Sequence, residues 1–411
     1  MIRAAQANRT CSVVDRPLTK QVAVHVAPLS VSFGTCVYKL GKPLRPESQM
    51  PDRQYLPLAA EHVNRPPARA AKIVFHGLFF TAIGLTNLCV LPATLKPVIT
   101  SQGGNEKSKR ARFEGFWEGD LAMILITGAS GTVGKAVLRE VAKTGAAHRA
   151  MYHSKDEAAK APAGTQTVIA DFSDKASLAS ALKGVESVYL VCSPIPQLVE
   201  LESNVIDACQ AAGVRRIVQN SALGAADYPK SFPSWHRKVE DKLKTTKIAH
   251  CILCPNSFMQ NIVAYYAPTI RTQGAFYGSY GNARISYIDV RDLAAVAAKA
   301  LTSSALDGKT LELNGPEALT CEQVAQKISE RTGIAARYVD IPMEAQRKAM
   351  LDQKMPEWQV TALIELQQYY INGQGGATDR TLADVLGRPP VTLDQFLTEH
   401  ASEFRSQAAK A

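Results

Sequence analysis

Apolar positions change their period along this chain, and the changes mark out its elements. Met123 to Thr127 is a continuous apolar run of strand length, and from Thr132 onward Val133, Val137 and Val141 recur every fourth position, on one helical face. The alternation repeats downstream. Strand-like runs occupy Arg149–His153, Thr167–Ala170, Ser187–Cys192, Arg216–Gln219 and Cys251–Leu253, and helical stretches Ala176–Leu182, Leu198–Ala212 and Ser234–Thr245 separate them. In the second of these helices Leu198, Leu201, Val205, Ile206 and Cys209 share a face. Such regular alternation predicts an α/β fold with a doubly wound parallel sheet and helices on both sides. Beyond about residue 256 the pattern loosens: Tyr265–Thr272, Asp292–Leu301 and Glu322–Thr332 read as helices and Thr310–Leu313 as a short strand. The expected organisation is a sheet-bearing part over 123–255 and a smaller mixed C-terminal lobe over 256–405 that closes on the sheet's ligand edge.

Between the first strand and the first helix stands Thr127-Gly-Ala-Ser-Gly-Thr-Val-Gly134. Gly128 permits a tight turn off the strand, Gly131 lets backbone approach a pyrophosphate, and Gly134 lets the helix pack on the strand. The free N–H groups and positive end of the following helix then face the phosphates. The glycine spacing alone is weak, but an apolar strand before it and an amphipathic helix after it make this a Rossmann-like dinucleotide site. The alternative is a plain strand-turn-helix.

Composition changes the picture mainly before Met123. Residues 1–122 hold 16 Lys+Arg against 8 Asp+Glu, and the remainder 31 against 29, so +8 of the net charge of +10 belongs to the leader. It gives no sign of a nucleic-acid surface on the core part. The leader is Pro-rich and without sustained period, and its structure is doubtful. Its composition shifts abruptly at 120–123, where Met123 opens the first strand as a translation start would, which reads as a leader foreign to the native protein. Two other readings stay open, an import sequence and a membrane span at Ile73–Leu91, a charge-free stretch diluted by His76, Gly77, Gly84 and Asn87. No membrane contact is expected unless that stretch is a real span. The 8 cysteines form no disulfide framework, which fits a reducing, cytoplasmic setting. Cys251 and Cys254 have metal-ligand spacing, but a strand points them to opposite faces, so no metal site is expected.

The glycine run, Asp171-Phe172 and Gln219-Asn-Ser-Ala-Leu-Gly-Ala225 together resemble atypical short-chain dehydrogenases. Trp235-His236-x-x-x-Glu240, Pro255-Asn-Ser-Phe-Met-Gln-Asn261, Ser286-Tyr-Ile-Asp-Val-Arg-Asp292, Leu313-Asn-Gly-Pro316 and Leu386-Gly-Arg-Pro389 narrow the resemblance to the NmrA-like group, over about residues 123–405. That group includes NAD(P)H-dependent quinone reductases, isoflavone-reductase-type enzymes and catalytically silent nucleotide sensors. The resemblance implies that Gly128, Ser130, Gly131, Thr132, Val133 and Gly134 form the pyrophosphate turn. It also implies that Asp171 bonds the adenine amino group with Phe172 beside the ring, that Cys192, Ser193 and Pro194 flank the nicotinamide ribose, and that Pro255 to Phe258 border nicotinamide and substrate. Each has a structural alternative: Phe172 as core, Ser193 as a strand end, Pro255 as a strand breaker.

At the end of the second strand an NAD site wants an acid and an NADP site a positive charge. The chain offers Tyr152-His153-Ser154-Lys155 and no acid before Asp156, so His153 and Lys155 favour NADP(H) over NAD(H); a solvated turn is the alternative. The superfamily's usual acid, a Tyr with Lys four residues later, is missing after Met123, and Tyr38 with Lys42 in the leader is coincidence. In its place stand His236 and Glu240 on one helical face, with Ser221 at the fifth strand's end. His236 is the candidate proton donor with Glu240 to orient it. The competing reading has His236 capping the helix and Glu240 pairing with Arg237 or Lys244. Without Tyr and Lys the site suits a small-molecule quinone or conjugated carbonyl, whose reduced form needs only a weak acid. The other reading is a catalytically silent NAD(P)-sensing regulator acting through a protein partner. The aromatics Phe258, Tyr265, Tyr266, Phe276 and Tyr277 offer either a flat pocket or the lobe's core. A carboxylate at position 131 would face the pyrophosphate, so Gly131→Asp is expected to abolish NADPH binding in calorimetric titration. Unchanged affinity would move the site away from this loop.

Overall fold

Strands and helices alternate from the first described residue. The computed structural model describes residues 123–405. In chain order these form β1 (Met123–Ile126), α1 (Thr132–Lys143), β2 (His148–Tyr152), α2 (Lys155–Ala158), β3 (Gln166–Ile169), α3 (Lys175–Ala181), β4 (Val185–Leu190), α4 (Leu198–Ala212), β5 (Arg216–Asn220), α5 (Ser231–Lys244) and β6 (Ala249–Pro255). A helical segment over 259–273, α6, follows, with a π-helical turn at Ile262–Tyr266. Then come β7 (Ala275–Gly278), β8 (Ile285–Ser286), α7 (Val290–Thr302), β9 (Thr310–Leu313), β10 (Ala318–Leu319), α8 (Cys321–Thr332) and β11 (Arg337–Asp340). The chain ends in α9 (Met343–Asp352), α10 (Glu357–Ile371), α11 (Thr381–Leu386), α12 (Leu393–Glu399) and a 3-10 turn.

Seven strands form one parallel sheet in the order β3-β2-β1-β4-β5-β6-β9. The expected Rossmann-like doubly wound sheet is therefore what the sequence builds. Chain order reverses between β1 and β4, which places the crevice for a ligand at their carboxyl ends. The two faces are apolar for different reasons. On one, α1 and α7 pack together, with Val137, Leu138, Val141, Leu293, Val296 and Ala297 filling the space against β1, β4 and β5. On the other lie α3, α4 and α5.

One expected element sits elsewhere than the pattern suggested. Thr310–Leu313, read as a strand of the C-terminal lobe, pairs in parallel with β6 and extends the main sheet. The helix before it, α7, packs on α1. The rest of the C-terminal half has its own small sheets, β7 with β11 and β8 with β10, and a core that includes Phe276, Ile270, Val324, Ile328, Phe396 and Phe404. Tyr266, half-buried, stacks on Phe276 of the lobe core with ring centroids 4.1 Å apart. Asp292, buried at the head of α7, pairs with Arg388 at 2.8 Å and so joins two of the sequence motifs.

The leader, the stretch at 73–91 and the Tyr38–Lys42 pair lie outside the described residues. Among the described residues no helix is long and apolar enough to cross a membrane.

A close backbone approach joins α1 to the loop beneath it. A Cβ on Gly134 would stand 2.1 Å from the Gly128 carbonyl oxygen and 2.6 Å from its carbon. Both are backbone atoms that cannot rotate away. Gly134→Ala is therefore expected to destabilise the protein by roughly 1–3 kcal/mol or more, read as a lower denaturation midpoint. An unchanged midpoint would mean that helix and loop do not touch.

Candidate functional site

All the parallel strands present their carboxyl ends to one edge, and the candidate residues collect there. At β1, Thr127 ties two loops together. Its hydroxyl donates to the Tyr189 carbonyl at 2.9 Å and accepts from the Val191 N–H at 2.9 Å. Gly128 follows in the left-handed region, φ +57°, where a Cβ would lie 2.8 Å from Val191 Cγ1. The Gly131 N–H then donates to the Gly128 carbonyl at 2.9 Å, closing the turn. Gly131 is also the N-cap of α1, and no side chain caps the helix. Ser130, Gly131 and Val133 are half-exposed and Thr132 is exposed, so the helix's first-turn amides head an open turn. Gly134 is buried against the loop, as its expected packing role requires.

The end of β2 comes close to the end of β3. His153 Nδ1 lies 3.9 Å from Asp171 Oδ2, and the His153 N–H donates to Glu157 at 3.3 Å. Ser154 caps α2 by accepting from the Glu157 N–H at 3.2 Å, and Lys155 is exposed at the first position of α2. Asp171 accepts from both the N–H and the hydroxyl of Ser173 at 2.8 Å. Phe172 is buried, and its carbonyl accepts from Asn204 on α4 at 3.1 Å. Cys192 and Ser193 are half-buried and Pro194 buried in the turn between β4 and α4. Pro255 closes β6, its carbonyl accepting from the Leu223 N–H at 3.1 Å.

The polar residues expected to carry chemistry do not pair as their spacing suggested. Ser221 donates to Glu240 at 2.6 Å, and Lys244 reaches the other Glu240 oxygen at 3.1 Å. Cys254 Sγ lies 3.8 Å from the first oxygen, on the opposite strand face from Cys251, which packs in the α1–α7 core. Glu240 thus bonds to Ser221 and Lys244 rather than orienting His236. His236 is buried inside α5, not capping it, and its Nδ1 finds no partner. Burial pulls its pKa down to about 4, so the imidazole is neutral at pH 7.

Beyond β6, Asn256 donates to Asn314 and to the Gly375 carbonyl, each at 2.9 Å, and so pins the 372–379 loop over the ends of β6 and β9. Beside that loop lies a cleft of about 620 Å3 lined by Tyr280, Asn282, Arg284, Ile371 and Gly376. It belongs to the lobe and does not include the glycine turn. Tyr369 and Tyr370, buried at the end of α10, were not foreseen, nor was Glu202, a fully buried acid on α4. The signal for Glu202 was present: an acid inside the apolar stripe Leu198, Leu201, Val205, Ile206.

Residues 121–407 match the NmrA-like family. The chain belongs to that family. The NAD(P)H azoreductase of Xenophilus azovorans is 33% identical over 284 residues, which cover 69% of this chain and 99% of the relative. Quinone oxidoreductase 2 of Escherichia coli is 30% identical over 67% of this chain and 98% of its own length. The crystal structure of an NADPH-dependent quinone oxidoreductase from Escherichia coli, complexed with NADPH, superposes with a TM-score of 0.63 at 30% identity, covering 67% of this chain and 99% of that one.

The neutral His236 has a measurable consequence. Its folded pKa lies below the unfolded value near 6.5, so the unfolded chain binds the extra proton first as pH falls. Its contribution is present above pH 6.5 and is lost between about 6.5 and 4, a loss of order 3 kcal/mol. His236→Gln is expected to flatten that part of the stability profile, read by denaturant titration across pH. A variant that kept the full acid loss would place the titrating group elsewhere.

Proposed function

We propose that this protein passes hydride from NAD(P)H, NADPH being favoured, to a quinone or conjugated carbonyl. The observation that carries the reading is the turn at Gly128–Gly134. It is an amide-headed bend, its helix capped by no side chain, where parallel strand order reverses, in a chain that spans nearly the whole length of an NAD(P)H-dependent relative. That kinship supports the broader statement, that the chain is an NAD(P)H-dependent oxidoreductase of the NmrA-like family. A cytoplasmic setting, where thiols stay reduced, fits the same reading.

The turn suits a dinucleotide because Gly128 and Gly134 bring backbone against backbone where any Cβ would intrude. Ser130 to Gly134 would hold the pyrophosphate, Asp171 and Phe172 the adenine, and Cys192 to Pro194 with Pro255 the nicotinamide end. When bound, the nicotinamide supplies the hydride. The chain's own side chains supply little acid strength. Ser221 already donates to Glu240, and His236 is neutral and inside the helix layer. This scarcity favours acceptors whose reduced form is a stabilised phenolate or enolate that takes its proton from solvent, with Ser221 and His236 at most hydrogen-bonding to it. The lobe cleft beside Asn256 and Gly375 offers such an acceptor an aromatic-edged dock.

At the adenosine ribose the charges oppose one another. Lys155 and His153 favour a 2′-phosphate, whereas Glu157 and Asp171 stand beside His153 and oppose it. Lys155, exposed at the head of α2, tips the balance toward NADPH. A nucleotide sensor is the second reading, favoured by the engagement of Ser221 with Glu240 and by the lack, among the described residues, of a Tyr with Lys four residues later.

Mixing the full chain with NADPH and a panel of benzoquinones and naphthoquinones, and following loss of reduced-cofactor absorbance, separates the two. Acceptor-dependent oxidation is expected; tight binding without oxidation would favour the sensor. Lys155→Glu is expected to lower the NADPH-over-NADH ratio of kcat/KM about tenfold. An unchanged ratio would remove Lys155 from cofactor choice.

A further inference from the structure

Beneath the turn that joins β4 to α4 lies a polar pocket with no ion pair in it. Glu202 projects from the second turn of α4 and Gln219 from β5, and both are fully buried. The Cys192 N–H and the Gln219 amide lie beside the Glu202 carboxyl. Neither contact has the geometry of a formed hydrogen bond, so both carboxyl oxygens and both Gln219 polar atoms remain unpartnered. Four such atoms in one buried place are costly, and the cost depends on whether the carboxyl carries charge. Cys192 begins the Cys192–Pro194 turn, and Thr127 bonds the preceding residue, Val191, to the glycine loop.

We propose that Glu202, supported by Gln219, is a positioning residue that acts through the Cys192 N–H on the nicotinamide side of the cofactor site, and that cofactor binds to the form in which Glu202 is uncharged. The inference rests on the proposed placement of the cofactor along that turn. A carboxylate formed there would be a buried negative charge directly behind backbone on which an anionic dinucleotide docks, and it would pull the Cys192 N–H inward. Uncharged, the same group lets the turn keep its place.

Burial raises the pKa of Glu202 to about 8, with the Cys192 N–H and Gln219 pulling weakly the other way. The neighbours with shifted values are moved away from that range. Tyr189 on β4 is pushed far up by burial and donates to Asn220. Cys209, on α4 itself, is pushed up to about 12. On α5, which packs against α4, the buried groups are His236, held down at about 4, and Glu240, bonded to Ser221 and Lys244. On α3 the buried residues are Leu178 and Ala181. Cys192 carries a titratable thiol in the same turn, so a break near pH 8 belongs to Glu202 when Glu202→Gln removes it.

The test uses the full chain with NADPH and NADH as probes, with Kd by fluorescence titration from pH 6.5 to 9 and Tm without cofactor over the same range. Affinity is expected to be level to pH 7.5 and to weaken about tenfold by pH 9. Tm should drop by several degrees between pH 6.5 and 8.5, because a raised folded pKa loses its stabilisation as pH rises from the unfolded value. Glu202→Gln, a neutral isostere, should remove both breaks while keeping the Kd measured at pH 7. Gln219→Leu, which deletes a group favouring the charged form, should move both to higher pH. A break in Kd that persists in Glu202→Gln, or a break in Tm with level affinity, would overturn the proposal. Failure of both cofactors to bind at every pH would overturn the functional reading, and this inference with it.

Discussion

Only a hydrogen atom at the Gly134 Cα separates the first helix of the sheet from the carbonyl of Gly128. The remaining features of the edge depend on that closeness. With α1 lying directly on the loop, Gly128 must turn through positive φ, Gly131 must cap the helix with backbone alone, and the first amides of α1 end up at the head of the crevice. Thr127 extends the constraint sideways, since one hydroxyl both donates to β4 and accepts from Val191 just beyond it. The glycine turn and the turn after β4 are therefore tied together through Thr127.

Behind the second turn lies a polar layer on the α4–α5 side of the sheet. Gln219 and Ser221, two apart on β5 and its continuation, point the same way and meet Glu202 and Glu240. The two acids are treated differently. Glu240 has a hydroxyl and an ammonium to bond, so its burial is compensated. Glu202 has neither, and neutralisation is the cheaper response of an isolated buried carboxyl. His236 answers the same environment by losing its charge. A site with so little acid strength suits acceptors that stabilise their own negative charge, which is the chemical basis of the proposed quinone-type substrate.

Much of the sheet was legible because its signals are local. The bounds of α4 and β9 agree with the apolar pattern, and β2, β3 and β5 shift by a residue or so, because strand ends depend on partners the pattern does not see. The membership of Thr310–Leu313 in the main sheet was not legible, since pairing with β6 is a non-local fact. The lobe was read least well. β7, β8, β10 and β11 are two to four residues long, and α10 buries Val360, Ala362, Gln367, Tyr369 and Tyr370 without a clear stripe. In the site, the glycine turn followed from spacing. Helical spacing put His236 and Glu240 on one face, yet could not say that Ser221 and Cys254 would come to Glu240 first.

The central claim is that amides at the head of α1 receive the dinucleotide's phosphates, and hydrogen exchange resolved by residue tests it most directly. Adding NADPH to the full chain should slow exchange at Gly131, Thr132, Val133 and Gly134 more than anywhere else on the sheet edge. Unchanged exchange at these four, with cofactor bound and protection appearing at other residues, would contradict it.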